Sequence, residues 1–248
     1  MRSVIFIATF TVLALSACSP ESDKSTEKKK ESAAVTGPIK PIATEAPSGT
    51  YKLDKSHASL IFRVNHMGFS NYTARFKRFD ATLDLDTASP SNSKLSVTVD
   101  ATSLETDFPD PKVVDFNAQL QNEQWLDTAK YPEMTFRSTG IGMTSANTAL
   151  VTGDFTLHGI TKPLILNVTF NGGYPGMELD PNARVGFSGK TTLKRSDFGI
   201  SAGIPAPGSN MGVSNEVDVI IEAEFSGPAW IKPAGSAEPN LNPPSPSP

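Results

Sequence analysis

Three histidines, one arginine-bearing turn and a single cysteine are the residues of this chain whose types could do chemistry. Three imidazoles and a water can complete a catalytic zinc site. His57 and His66 lie nine residues apart, and His158 follows about 90 residues later. That spacing does not by itself gather them. The alternative is that each sits at a strand end or corner and bonds to backbone. His66 has a third reading, beside a ligand head group, because it falls on the apolar parity of its strand. In Lys194-Arg195-Ser196-Asp197-Phe198-Gly199, Arg195 could grip a phosphate in bidentate fashion. A pairing of Arg195 with Asp197 that holds a turn into Gly199 is the favoured reading. Cys18 is the only cysteine, which excludes an internal disulfide and a zinc site built on thiolates. The sequence holds no Gly-rich phosphate loop, no nucleophile elbow and no HExxH motif. A hydrolase using His57, His66 and His158 therefore lacks a recognisable nucleophile and base. The chain reads as a non-enzyme without cofactor or metal, and the histidine enzyme stands as the alternative.

The elements that must position these residues begin with an address. Met1-Arg2 precedes an uncharged apolar run from Val4 to Leu15, which has signal-peptide length. It ends in Leu15-Ser16-Ala17-Cys18, which resembles the bacterial lipobox. That resemblance implies a signal peptide over residues 1–17, a diacylglyceryl group on Cys18, and a membrane anchor on the periplasmic side of a bacterial envelope. Ser19, in place of Asp, implies the outer membrane. An ordinary secretory signal that happens to hold a cysteine is the alternative. Residues 18–49 are rich in Ser, Lys, Glu, Pro and Ala with no periodic apolar positions, so a disordered tether is expected there. Residues 229–248, rich in Pro and Ser, are expected to be a disordered tail. The formal charge of −4 is dispersed and leaves no nucleic-acid footprint.

Between tether and tail, residues 50–228 alternate apolar and polar side chains with period two. In the stretch 57–66, Leu60, Phe62, Val64 and His66 share one face. Phe69 to Asp86 reads as a long strand whose parity changes at Lys77-Arg78, the mark of a bulge. Val97 and Val99 follow on the next strand. Around Gly153 to Phe170, two alternating runs flank His158–Pro163. A six-residue connection there is long for a hairpin, which suggests a job of its own. Val113, Phe116 and Leu120 fall at helical spacing between Pro111 and Pro132, so a helix of three to four turns is expected over 112–126. It would cap one barrel end with Val113, Phe116 and Leu120 turned inward, or pack outside. Ser201–Gly212 is a long Gly/Pro-rich loop, either a flap or an ordered crossing.

About eight strands and one helical insertion predict an all-β, antiparallel, up-and-down barrel. Such a barrel is packed solid or holds one small ligand. Its inner wall would carry Leu60, Phe62, Val64 and His66, then Val97 and Val99, then Phe155, Leu166, Phe170, Phe187 and Phe225, with Phe116 and Leu120 from the helix.

Five blocks, in order, resemble the YceI-like family. They are Tyr51-Lys52-Leu53-Asp54 with His57 and Phe62–Gly68; Trp125-Leu126-Asp127 through Tyr131-Pro132 to Thr139; Gly153 to Pro163; Leu193 to Ile200; and Asn215-Glu216-Val217 with Glu222. Ala58 stands where the family usually has Ser. The resemblance implies a lipocalin-like barrel that encloses a long apolar chain, polyisoprenoid, isoprenoid quinone or fatty-acyl. It implies no catalytic residues.

Overall fold

The alternation becomes a closed sheet because each run has an apolar face to bury and antiparallel neighbours on both sides. The computed structural model describes residues 39–231; the signal-like run, Cys18 and residues 232–248 lie outside the described residues. The strands are β1 (Gly49–His66), β2 (Ser70–Phe76), β3 (Phe79–Leu85), β4 (Lys94–Asp100), β5 (Leu104–Glu105), β6 (Glu133–Met143), β7 (Thr148–Leu157), β8 (Ile160–Tyr174), β9 (Asn182–Lys194) and β10 (Val213–Ala229), with one helix α1 (Phe116–Gln121). The sheet runs β10-β9-β8-β7-β6-β4-β3-β1-β2-β5, and β10 pairs with β1 to close it. β2 pairs with the second half of β1 and β3 with the first half, so they fill one position in the ring. Eight antiparallel positions result, as expected. The parity change is an interruption at residues 77 and 78 that ends one strand and starts the next. Phe76 and Phe79 both turn inward across it.

The connection after β7 differs from expectation. Leu157 pairs with Ile160 and Asp154 with Pro163, so only His158 and Gly159 form the turn. Their φ angles of 53° and 74° are those of a tight hairpin turn with two left-handed residues. Gly159 supplies the second without strain, and any Cβ there would strike the Tyr131 ring. Pro163 is tolerated because β9 joins β8 only from Asn167 onward, which leaves no partner for a donor at 163.

The helix is shorter than its spacing suggested. Only six residues are helical. The amides of Val113 and Val114 turn back to the Asp110 carbonyl, and the Asp115 side chain caps the Ala118 amide at 2.9 Å. An Asp that caps so well starts a helix where it stands, and two β-branched valines before it add little reason to start earlier. Beyond Gln121 the Trp125 and Asp127 amides both return to the Asn122 carbonyl as turns.

The expected tether and tail are also shorter at their inner ends. The Ile42 amide donates to the Ala146 carbonyl at 2.7 Å, Ala46 is 3% exposed, and the Tyr51 hydroxyl donates to the Pro47 carbonyl at 2.7 Å. Residues 41–47 thus bind along the barrel end where β1 begins. At the other terminus Ala229 pairs with Asn182, and the Trp230 amide donates to the Pro181 carbonyl.

Candidate functional site

All eight ring positions turn apolar side chains toward a single cavity of about 610 Å³, within the range of ligand pockets. The packed-barrel reading gives way to this interior space. Every side chain assigned to the inner wall by parity borders it. Leu60, Phe62, Val64 and His66 come from β1, and Val97 and Val99 from β4. Phe155 comes from β7, Leu166 and Phe170 from β8, Phe187 from β9 and Phe225 from β10. Phe116 and Leu120 of α1 border it too, whereas Val113 is 75% exposed and points away. The helix therefore extends the wall beside β2 and β5, where Phe116 meets the Tyr72 ring edge-on at 5.7 Å and the Asn117 side chain accepts from the Thr106 amide at 2.9 Å.

Aromatic edges organise the wall. Phe62 and Phe76 lie 5.5 Å apart, and Phe155 meets Phe198 edge-on at 5.4 Å. Phe170, Phe187 and Phe225 form a chain at 5.4 and 6.0 Å. Such pairs lock rotamers and add about 0.5–1.5 kcal/mol each beyond area burial.

The wall also holds residues outside that assignment, among them Met134 and Phe136 of β6, Leu193 of β9 and Val217, Val219 and Ile221 of β10, and three further contributions are instructive. Phe79, Leu83 and Leu85 share one parity on β3 and were legible from it. Pro41, Ile42 and Thr44 belong to a segment read as tether, and no periodicity marks them. Arg195 was read as the partner of Asp197. Instead it is 6% exposed, borders the cavity, and donates to the carbonyls of Ser214, Ala202 and Val213 at 3.0, 2.9 and 2.9 Å. The loop 201–212 is thereby an anchored crossing, with the Val213 amide bonded to the Gly203 carbonyl and the Met67 amide to the Gly212 carbonyl.

The three histidines go to three places. His66 ends β1 at the cavity, opposite Val213 and Ser70. His158 is the corner residue: its Nδ1 donates to the Phe198 carbonyl at 3.1 Å, and its ring meets Tyr131 edge-on. His57 stands outside, in an ion-pair cluster. Its Nδ1 lies 3.0 Å from Asp54 and 3.9 Å from Glu224, while Arg184 donates to Asp54 at 2.5 Å and to Asp180 at 2.8 Å. Among the described residues the one grouping with metal-ligand geometry is Asp54, His57 and Glu224, with ligand atoms within 4.8 Å of one another. It contains one histidine, so a three-histidine zinc site is not assembled, and Arg184 already occupies the Asp54 carboxylate.

The cluster has a pH signature. The hydrogen bond from His57, then that from Arg184, holds the Asp54 carboxyl well below the usual carboxylate range. The Asp54 hydrogen bond, then the charges of Asp54 and Glu224, raise His57. A raised imidazole stabilises the fold fully below its unfolded value of about 6.5, and that contribution is lost as pH rises through the folded value. The depressed Asp54 acts oppositely: its contribution is present above about pH 4 and lost as pH falls towards its folded value. Thermal unfolding is therefore expected at a slightly lower temperature at about pH 8.5 than at about pH 6. His57→Gln is expected to remove that difference; an unchanged difference would place its origin elsewhere.

With this geometry in view, the likeness to known proteins is informative. The family model described as YceI-like domain matches residues 51–225. A UPF0312 protein of Pseudomonas savastanoi pv. phaseolicola is 38% identical over 184 residues, 73% of this chain and 91% of that protein. The crystal structure of the Campylobacter jejuni YCEI protein is similar at 26% identity and a TM-score of 0.55, covering 66% of this chain and 90% of that one. A polyisoprenoid binding domain from Saccharophagus degradans shares the fold at 18% identity and a TM-score of 0.51, covering 72% of this chain and 98% of that one. The five sequence blocks, the closed eight-position barrel and a family match spanning it from Tyr51 to Phe225 lead to one conclusion: the chain belongs to the YceI-like family.

Proposed function

We propose that this protein binds a long apolar amphiphile, a polyisoprenoid, isoprenoid quinone or fatty-acyl lipid, and sequesters or carries it. The observation that carries the reading is the interior cavity with apolar walls from every ring position. Burial of such a chain gains about 25 cal/mol per Å² before ordering costs, so length and shape set the specificity. The polyisoprenoid binding domain of S. degradans shares the barrel and supports the ligand class. The role is binding, a reading supported by the YceI-like match and by a cavity wall built almost wholly from apolar side chains. The protein acts from the periplasmic face of the envelope, anchored at the outer membrane through lipidated Cys18.

Native mass spectrometry of the purified chain, followed by solvent extraction, tests this. A single co-purifying mass of a long isoprenoid or acyl chain is expected. A clean apo mass, still clean after incubation with isoprenoid quinones and fatty acids, would overturn the reading. The same spectrum tests the anchor, which predicts a chain that begins at Cys18 and carries acyl mass.

A further inference from the structure

We propose that the end of the cavity beside α1 is a site for an anionic head group, a carboxylate or a phosphate monoester, with Arg195 as its cation. The proposal rests on the apolar-ligand reading above and adds the chemistry of the ligand's polar end.

Among the described residues, Arg195 is the one Asp, Glu, Lys or Arg on the cavity wall. At 6% exposure it is out of water. Buried charges in proteins are ordinarily paired, because removing an ion from water costs several kcal/mol even after relaxation. Arg195 departs from this. Its partners are three carbonyls, and none of the ion pairs among the described residues includes it. Carbonyl dipoles solvate a guanidinium but leave its charge uncancelled. A guanidinium has five N–H donors, and the three carbonyls use one on each nitrogen. One N–H on Nη1 and one on Nη2 are left without a partner among the described residues, and a charged acceptor makes the stronger hydrogen bond to such a donor. Trp125, itself on the wall, lies against the guanidinium with its ring centre 5.3 Å away, which limits how the side chain can swing. Burial also pulls the Arg195 pKa below its ordinary value, the direction expected of a cation without an anion.

The placement suits an amphiphile's head. Val213 gives its carbonyl to Arg195 and pairs with His66 in the ladder, so the wall's one charged side chain and its one histidine meet at a single residue. The far end is crossed by Pro41, Ile42 and Thr44. A chain running down the barrel toward Phe170 and Phe225 would leave its head at Arg195. A neutral alcohol or quinone there would leave the buried charge as it is, whereas a carboxylate or phosphate would cancel it.

The test uses the full chain and matched pairs of probes: cis-parinaric acid against its methyl ester, and farnesyl phosphate against farnesol. Each anion is expected to bind about tenfold tighter than its neutral partner, or more. The larger of the two preferences distinguishes a carboxylate site from a phosphate site. Equal affinity within both pairs overturns the head-group site and leaves the apolar-ligand reading standing. Failure of all four probes to bind overturns both. Arg195→Gln is expected to bring the members of each pair within about twofold of one another, and an anion preference that survives in the folded variant overturns the assignment to Arg195. Should the loss of three carbonyl bonds prevent that variant from folding, the comparison in the unaltered chain still decides.

Discussion

Phe62→Glu is expected to abolish uptake of any apolar chain while the barrel remains closed. Phe62 is half-buried on the cavity wall, against Phe76 and opposite Val219 and Ala74 in the ladders. A carboxylate there must stay hydrated, and an apolar ligand cannot be seated without stripping that water. An ionised group left unpaired in such surroundings costs several kcal/mol, and about 3 kcal/mol already weakens binding on the order of 100-fold. The empty barrel suffers less, because water can enter the cavity. Arg63→Gln is the control. Arg63 is the next residue on the same strand, is exposed, and points to the other face. Titration with a fluorescent fatty acid reads the outcome. Unchanged affinity in a folded Phe62→Glu variant would remove Phe62 from the binding wall, and parallel losses in both variants would point to damage rather than to the site.

The second large effect concerns stability. Tyr51→Ala is expected to cost about 3–5 kcal/mol, the range for deleting a fully buried aromatic ring. Tyr51 is 0% exposed and joins the core formed with Leu53, Ala183, Val185 and Phe225. Its ring lies so close to Gly227 that no Cβ fits there, so the two positions are matched in shape across β1 and β10. Its hydroxyl also ties down the segment that crosses the barrel end, through the Pro47 carbonyl. Urea unfolding should show a lower midpoint with little change in slope. Tyr51→Phe, which removes only the hydrogen bond, should cost about 1 kcal/mol. A loss below about 1 kcal/mol for the alanine variant would mean that the ring does not close this seam.

These two residues illustrate what could be read early and what could not. Phe62 was assigned to the wall from parity alone, because a strand's side chains alternate and a closed sheet has one inside. The same rule placed Val97, Phe155, Leu166 and Phe187. Tyr51 was recognised in a family block, but its fit against Gly227 joins residues 176 positions apart in the chain and has no local signature. α1 was overestimated because i, i+3, i+7 spacing is satisfied by a helix and equally by a turn–helix–turn path along one wall; the capping by Asp115 decided between them. The His158-Gly159 turn was overestimated because Pro163 looks like a break, and only the pairing with β7 shows that it lies where no donor is needed.

The sequence by itself determined the class of fold, the inward face of most strands and the family. Each follows from period-two alternation, the order of short motifs and the types of residue present, all of which are local. Tertiary structure alone decided that the barrel is hollow, that residues 41–47 cross one end, and that Arg195 faces the cavity with carbonyls as its partners in place of Asp197. Those outcomes depend on which backbone carbonyls and side chains converge from β1, β9, β10 and the loop before β10. Convergence across such distances is a property of ring closure and leaves no mark on neighbouring residues in the chain.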